Sequence, residues 1–133
     1  MERKMLEQRI ANDMVNFKLG TLGTDIFIGQ LPEDVTTGVF LVPASSPPPQ
    51  QIIDTEEHVI DFWCRSDHTD TAYNKLQAIY NTYNRRANYP LGDWYIYFSG
   101  ALGTIMDMDR DREGGKLFKL SVSFLCRNIT NVS

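Results

Sequence analysis

From Lys116 to Arg127 the chain alternates, with Phe118, Leu120, Val122, Phe124 and Cys126 in one phase and Lys119, Ser121 and Ser123 in the other. A period of two puts every residue of the first set on one side of an extended chain, so this stretch reads as a strand with one buried face. A second stretch, Glu56 to Arg65, has the same build: His58, Ile60, Phe62 and Cys64 face one way, and Glu57, Val59, Asp61, Trp63 and Arg65 the other. Two long half-buried strands must be covered on their apolar side by another layer.

Two helical stretches can supply that layer. In Met1 to Lys18, Met5, Leu6, Ile10, Met14 and Phe17 recur at three- and four-residue steps, and Gly20 stands where a left-handed cap would end the helix. Ser66 and Asp67 offer capping oxygens to a second helix reaching about Ala87, with a stripe of Ala72, Leu76, Ile79, Tyr80 and Tyr83 and with Tyr73 alongside. Asn88, Pro90 and Gly92 end it. Shorter strands are expected at Thr24–Gln30, Val39–Val42, Trp94–Phe98 and Leu102–Met108, and Asp107–Gly115 reads as a charged hairpin connection. Leu31-Pro32-Glu33-Asp34 is a turn, and Ser45–Gln51, which contains Pro47, Pro48 and Pro49, is an extended loop. The expected fold is α+β: residues 1–133 as a single domain, a mixed, mostly antiparallel sheet, and two helices packed on one face. Phe62, Cys64, Leu76, Leu120, Val122, Phe124 and Cys126 form the expected core.

Composition then bounds the function. A net charge of −4 argues against a broad nucleic-acid face, because phosphate affinity comes from clustered Lys and Arg. No apolar run approaches the length of a membrane helix, and the charged start Met1-Glu2-Arg3-Lys4 does not read as a signal peptide. Cys64 and Cys126, each in a strand-like stretch, read as buried free thiols.

The chemical constellations are incomplete. Asp107-x-Asp109-x-Asp111 begins like a calcium loop, but the glycine of the sixth position is Arg112 and the glutamate of the twelfth is Phe118. His58 and His68 fall in no metal-binding or nucleophile spacing, and Gly20-x-x-Gly23 is too short for a phosphate loop. Arg85-Arg86 reads as a solvated helix end, and the group Tyr80, Tyr83, Tyr89, Trp94, Tyr95 and Tyr97 as core and interface packing. No catalytic, cofactor-binding or metal-binding residue is assigned, and no cofactor is implied.

The order of these segments resembles a known family. An N-terminal helix, a strand ending in an Asp/Pro turn and a Pro-rich loop are followed by Ile60-Asp61-Phe62-Trp63-Cys64-Arg65-Ser66-Asp67 running from strand into helix. A hydrophobic stretch with Gly103, an acidic hairpin and the alternating strand Phe118 to Arg127 complete the order. This is similar to the tail terminator, or tail-to-head joining, proteins of long-tailed bacteriophages. The resemblance implies a structural virion protein at the tail neck, assembled in the host bacterial cytoplasm. It implies a sixfold ring on the finished tail tube that stops polymerisation and meets the head connector protein. Its partners would be itself, the tail tube protein and the connector, without a membrane or sequence-specific nucleic acid, although DNA could pass through the ring. Candidate interface residues are Pro32, Asp34, Pro47, Pro48, Pro49, Trp63, Asp109, Arg110, Asp111 and Arg112, from the irregular segments and from the sheet face left bare by the helices. An adaptor or regulatory module that binds a protein without forming rings shares the same surface features.

Overall fold

A computed structural model of the chain describes residues 6–29, 37–45, 55–110 and 116–128. The alternating C-terminal stretch is β7 (Lys116–Asn128), the spine of the sheet. One edge pairs antiparallel with β3 (Glu56–Ser66) along its length, from Glu56 opposite Cys126 to Ser66 opposite Lys116. The other edge is shared between β5 (Trp94–Ala101), beside Val122–Asn128, and β6 (Met106–Arg110), beside Lys116–Lys119. Outside β3 lies β2 (Gly38–Ser45), antiparallel, and outside that the short β1 (Ile26–Ile28), parallel to β2. β4 (Arg86–Leu91) closes the far edge, giving the order β1-β2-β3-β7-β5-β4. One parallel pair among antiparallel ones makes the sheet mixed and mostly antiparallel, and with two helices the fold is α+β.

The two helices, α1 (Leu6–Asn16) and α2 (Thr69–Tyr83), share one face of this sheet. Tyr83 of α2 stacks on Phe62 of β3 (centroids 5.9 Å apart) and meets Phe124 of β7 edge-on (5.7 Å). Leu6, Ile10 and Met14 of α1 are buried in the same cluster as Ile26, Val39, Leu41, Ile60 and Ile96. All seven core residues expected from the sequence are buried. Burial of so many apolar side chains, each contributing about 1.5–3 kcal/mol, is the main force holding the helices to the sheet.

Several boundaries differ from the sequence reading. β4 occupies the stretch read as a helix-ending break. Pro90 lacks an N–H, but on an edge strand it can face away from the ladder, and Asn88 (φ 56) supplies an irregular step. α2 accordingly ends at Tyr83, its N-cap is His68, which makes no side-chain cap bond, and β3 runs on through Ser66. The left-handed residue closing α1 is Lys18 (φ 60), two positions before Gly20. Lys18 N–H donates to Val15 O (3.0 Å) and Leu19 N–H to Met14 O (2.9 Å), the paired bonds of a Schellman cap. Gly20 serves close approach: a Cβ there would lie 2.7 Å from Asp25 Oδ1 and 2.9 Å from the Ile26 side chain. α1 has no basic residue in its last turn, and Lys75 of α2 supplies the charge, its Nζ donating to Leu19 O at 2.8 Å. β6 starts at Met106, four residues after the expected Leu102, and it runs past the expected Met108 through Asp109–Arg110, into the expected hairpin connection.

Glu7 of α1 is only 4% exposed, and among the described residues its Oε2 has no hydrogen-bond partner.

Candidate functional site

The helices cover one face of the sheet, and the phase opposite to the core forms the other. In register these open-face residues are Phe40 and Val42 of β2, Glu57, Val59, Asp61 and Trp63 of β3, and Lys119, Ser121, Ser123 and Leu125 of β7. Across β7 they continue into Met106 opposite Lys119 and Phe98 opposite Leu125.

Charge and aromaticity are ordered here. The Phe40 and Trp63 rings stack with centroids 6.0 Å apart and planes within 9°, and Lys119 Nζ sits 5.3 Å from the Trp63 ring, in cation–π range. Ser121 donates to Asp61 (2.5 Å) and Ser123 to Glu57 (2.8 Å), so serine hydroxyls hold both carboxylates upright on the strand surface. A groove of about 300 Å³ runs between Val59, Asp61, Lys119 and the β5–β6 connection at Leu102–Thr104. Its rim is apolar and wet: Leu102 is 61% and Met106 51% exposed, and farther along the same face Phe98 is 47% and Leu125 39% exposed. Exposed apolar side chains clustered in this way mark a contact surface.

Of the residues named from sequence, Trp63 lies on this face. Pro32, Asp34, Pro47, Pro48, Pro49, Asp111 and Arg112 lie outside the described residues, as do the side chains of Asp109 and Arg110, whose backbone belongs to β6. Sequence reasoning missed Leu102, Met106, Phe98 and Leu125. The available signal was phase: Leu125 and Leu117 are apolar at positions where β7 otherwise turns polar groups outward.

The histidines sit beyond opposite ends of β3's central run. His58 Nε2 is 2.8 Å from Glu56 and its ring meets Trp94 edge-on, while His68 is exposed at the start of α2. Both cysteines are buried free thiols, and burial, partly offset by the Lys75 ammonium, pushes Cys64 up to about 12, where it is a poor nucleophile at neutral pH. Among the described residues no group of three or more His, Cys, Asp or Glu side chains could hold a metal ion. Nor is any described helix long and apolar enough to cross a membrane.

A second, polar groove of about 220 Å³ separates α1 from the β4–β5 turn and is lined by Arg9, Asn12, Asp13 and Gly92. Ion pairs staple its sides: Arg9 Nε to Asp93 at 2.8 Å and Arg86 to Asp13 at 3.3 Å. Arg86 is half-buried, with its guanidinium 3.8 Å from the Tyr89 ring centroid and 5.0 Å from that of Phe17, and it braces α1 against β4 where the sequence reading placed a solvated helix end. Gly92 takes a left-handed conformation at this groove (φ +62), which favours glycine, and a Cβ there would also displace the Arg9 side chain, 2.6 Å away at Nε.

No curated protein matches the chain. A profile of the family described as bacteriophage tail terminator protein matches residues 14–126, from the last turn of α1 through β1 to β6 and into β7 as far as Cys126. The chain belongs to the bacteriophage tail terminator protein family.

Proposed function

We propose that this chain caps the finished phage tail tube as a sixfold ring, stops addition of further tube subunits, and presents a second surface to the head connector. Its role is assembly without catalysis, as a component of the virion tail neck put together in the host cytoplasm. The observation that carries this reading is the family assignment over residues 14–126. The broad uncovered sheet face, with its apolar groove, supports it. A cap must match the tube on one side and differ from it on the other. The segments 31–37, 45–51 and 107–115 are proposed to provide those differing contacts, with Pro32, Asp34, Pro47, Pro48, Pro49, Asp109, Arg110, Asp111 and Arg112 among the contact residues and Trp63 on the sheet side. The mixed charges of 107–113 suit salt-sensitive pairing between subunits.

Deleting Arg110 to Glu113 while keeping Gly114-Gly115 as the turn tests this placement. In infected cells the variant should yield tails that overgrow or fail to join heads under negative-stain microscopy. Normal-length, head-joined tails would remove the 107–115 segment from the contact surface.

A further inference from the structure

Seven of the eight described exposed large hydrophobic residues fall into two groups, and Tyr73 on α2 stands apart from both. Four lie on or beside the open sheet face: Phe98, Leu102, Met106 and Leu125. Three others gather at the C-terminal end of α1 and the turn after it: Val15 (37% exposed), Phe17 (49%) and Leu22 (38%). α1 belongs to the helical layer, so this second patch is separate from the open face.

The patches differ in shape and charge. The α1 patch is a knob. Phe17 is backed by the Arg86 guanidinium 5.0 Å from its ring, and the Schellman cap at Lys18 fixes the turn that carries it. An aromatic side chain held in place before contact loses little entropy on docking, as interface anchors require. Next to it Lys18 is exposed and cationic. The open face is a groove lined by Asp61 and by Lys119, whose ammonium is drawn over the Trp63 ring, and its carboxylates, Glu57 and Asp61, are hydrogen-bonded to serine hydroxyls. Knob meets groove, and lysine meets carboxylate.

We infer that copies of this chain bind head to tail, with the Phe17 knob of one copy seated in the Leu102–Met106 groove on the open sheet face of the next. This rests on the ring reading above and gives it an interface. A ring built by rotation needs two different complementary patches on each subunit, whereas a face that paired with itself would close as a two-fold dimer and leave the knob bare.

The test uses Phe17→Asp and Leu102→Asp in the full chain, with thermal melting to show that each variant is folded, and Met106→Lys replacing Leu102→Asp if that variant melts early. Sedimentation velocity over a concentration series should show association of the unmodified chain, weakened at least about tenfold by either substitution alone. Mixing the two variants should restore a one-to-one complex, because each retains the patch the other lacks. Rising salt should weaken the association through Lys18. If Phe17→Asp assembles normally while Leu102→Asp does not, the face pairs with itself and the inference is wrong. Unchanged assembly of both variants, or an unmodified chain that stays monomeric at the highest attainable concentration, also overturns it. None of these solution results touches tail capping, which is read from tail length in infected cells, so the two can fail separately.

Discussion

Ser99 is a fully buried hydroxyl at the junction of three elements, and removing it should cost more than its size suggests. Its Oγ lies 2.7 Å from Tyr83 O, at the end of α2, and 2.6 Å from Tyr89 Oη in β4. A serine has one proton. Given to the Tyr83 carbonyl, it leaves Tyr89 O–H as donor to Ser99, so Ser99→Ala orphans a buried donor and a helix-end acceptor together. Each orphan costs about 1–3 kcal/mol, so the variant should lose roughly 2–4 kcal/mol of the ~5–15 kcal/mol a domain has. With an unfolding entropy of about 2.1 cal/mol/K per residue, that is a fall in Tm of roughly 7–14 °C, measurable by calorimetry or circular dichroism. A second substitution separates the orphan penalty from lost packing. Tyr89→Phe should destabilise the unmodified chain by about 1 kcal/mol but be neutral or stabilising in the Ser99→Ala background. A loss below about 0.5 kcal/mol for Ser99→Ala, or additive costs in the double variant, would refute the proton assignment and the network with it.

Other consequences follow from single residues. Lys18 holds a left-handed conformation that costs an L-residue about 1–2 kcal/mol, so Lys18→Gly, after its own entropic cost of about 0.5–1 kcal/mol, should leave stability equal or up to about 1 kcal/mol higher by urea titration. A clear loss would mean the Lys18 side chain holds the α1 end. Burial pushes Cys64 from 9.0 up to about 12. Burial, partly offset by the Ser99 hydrogen bond, pushes Tyr89 from 10.0 up to about 12. Raised folded-state values favour the protonated forms, so this stability is complete below the unfolded values and drains as pH rises. Stability should hold to about pH 9 and then fall by about 1.4 kcal/mol per pH unit for each group, and a flat profile to about pH 11 would contradict the burial of both. Val122→Asp places an unpaired charge in the core beneath α2 and should unfold the chain, since such a burial costs several kcal/mol; a soluble, cooperatively melting variant would overturn the strand phase.

The long strands were legible because their signal is local. In β3 and β7 the side-chain phase alone fixes which residues meet the core, and both helical stripes were readable the same way, apart from Phe17 and Tyr73, which stand out in water, and Met5, which lies outside the described residues. β4 was not legible: Asn88, Pro90 and Gly92 are turn residues by local preference, and pairing with β5 at a sheet edge overrides that preference. The cap at Lys18 was hidden for a related reason. Glycine is the usual left-handed residue, yet here the glycine is spent on the close approach to Asp25 and Ile26. The open face was half legible. Trp63 and Val59 fell in the outward phase of β3, but its groove is completed by Leu102 and Met106, which reach it through the β5–β6 connection and the β6–β7 register. That juxtaposition has no sequence period. Arg86 shows the same limit, since its partners Asp13, Phe17 and Tyr89 converge only in the fold.

The central claim is that this protein ends tail growth, and tail length measures it directly. Cells infected with phage in which this gene is disrupted should accumulate tails of broad, excessive length without joined heads, counted by negative-stain microscopy. Supplying the intact chain in trans should restore a single tail length and infectious particles. Tails of normal length joined to heads in the absence of the protein would contradict the account.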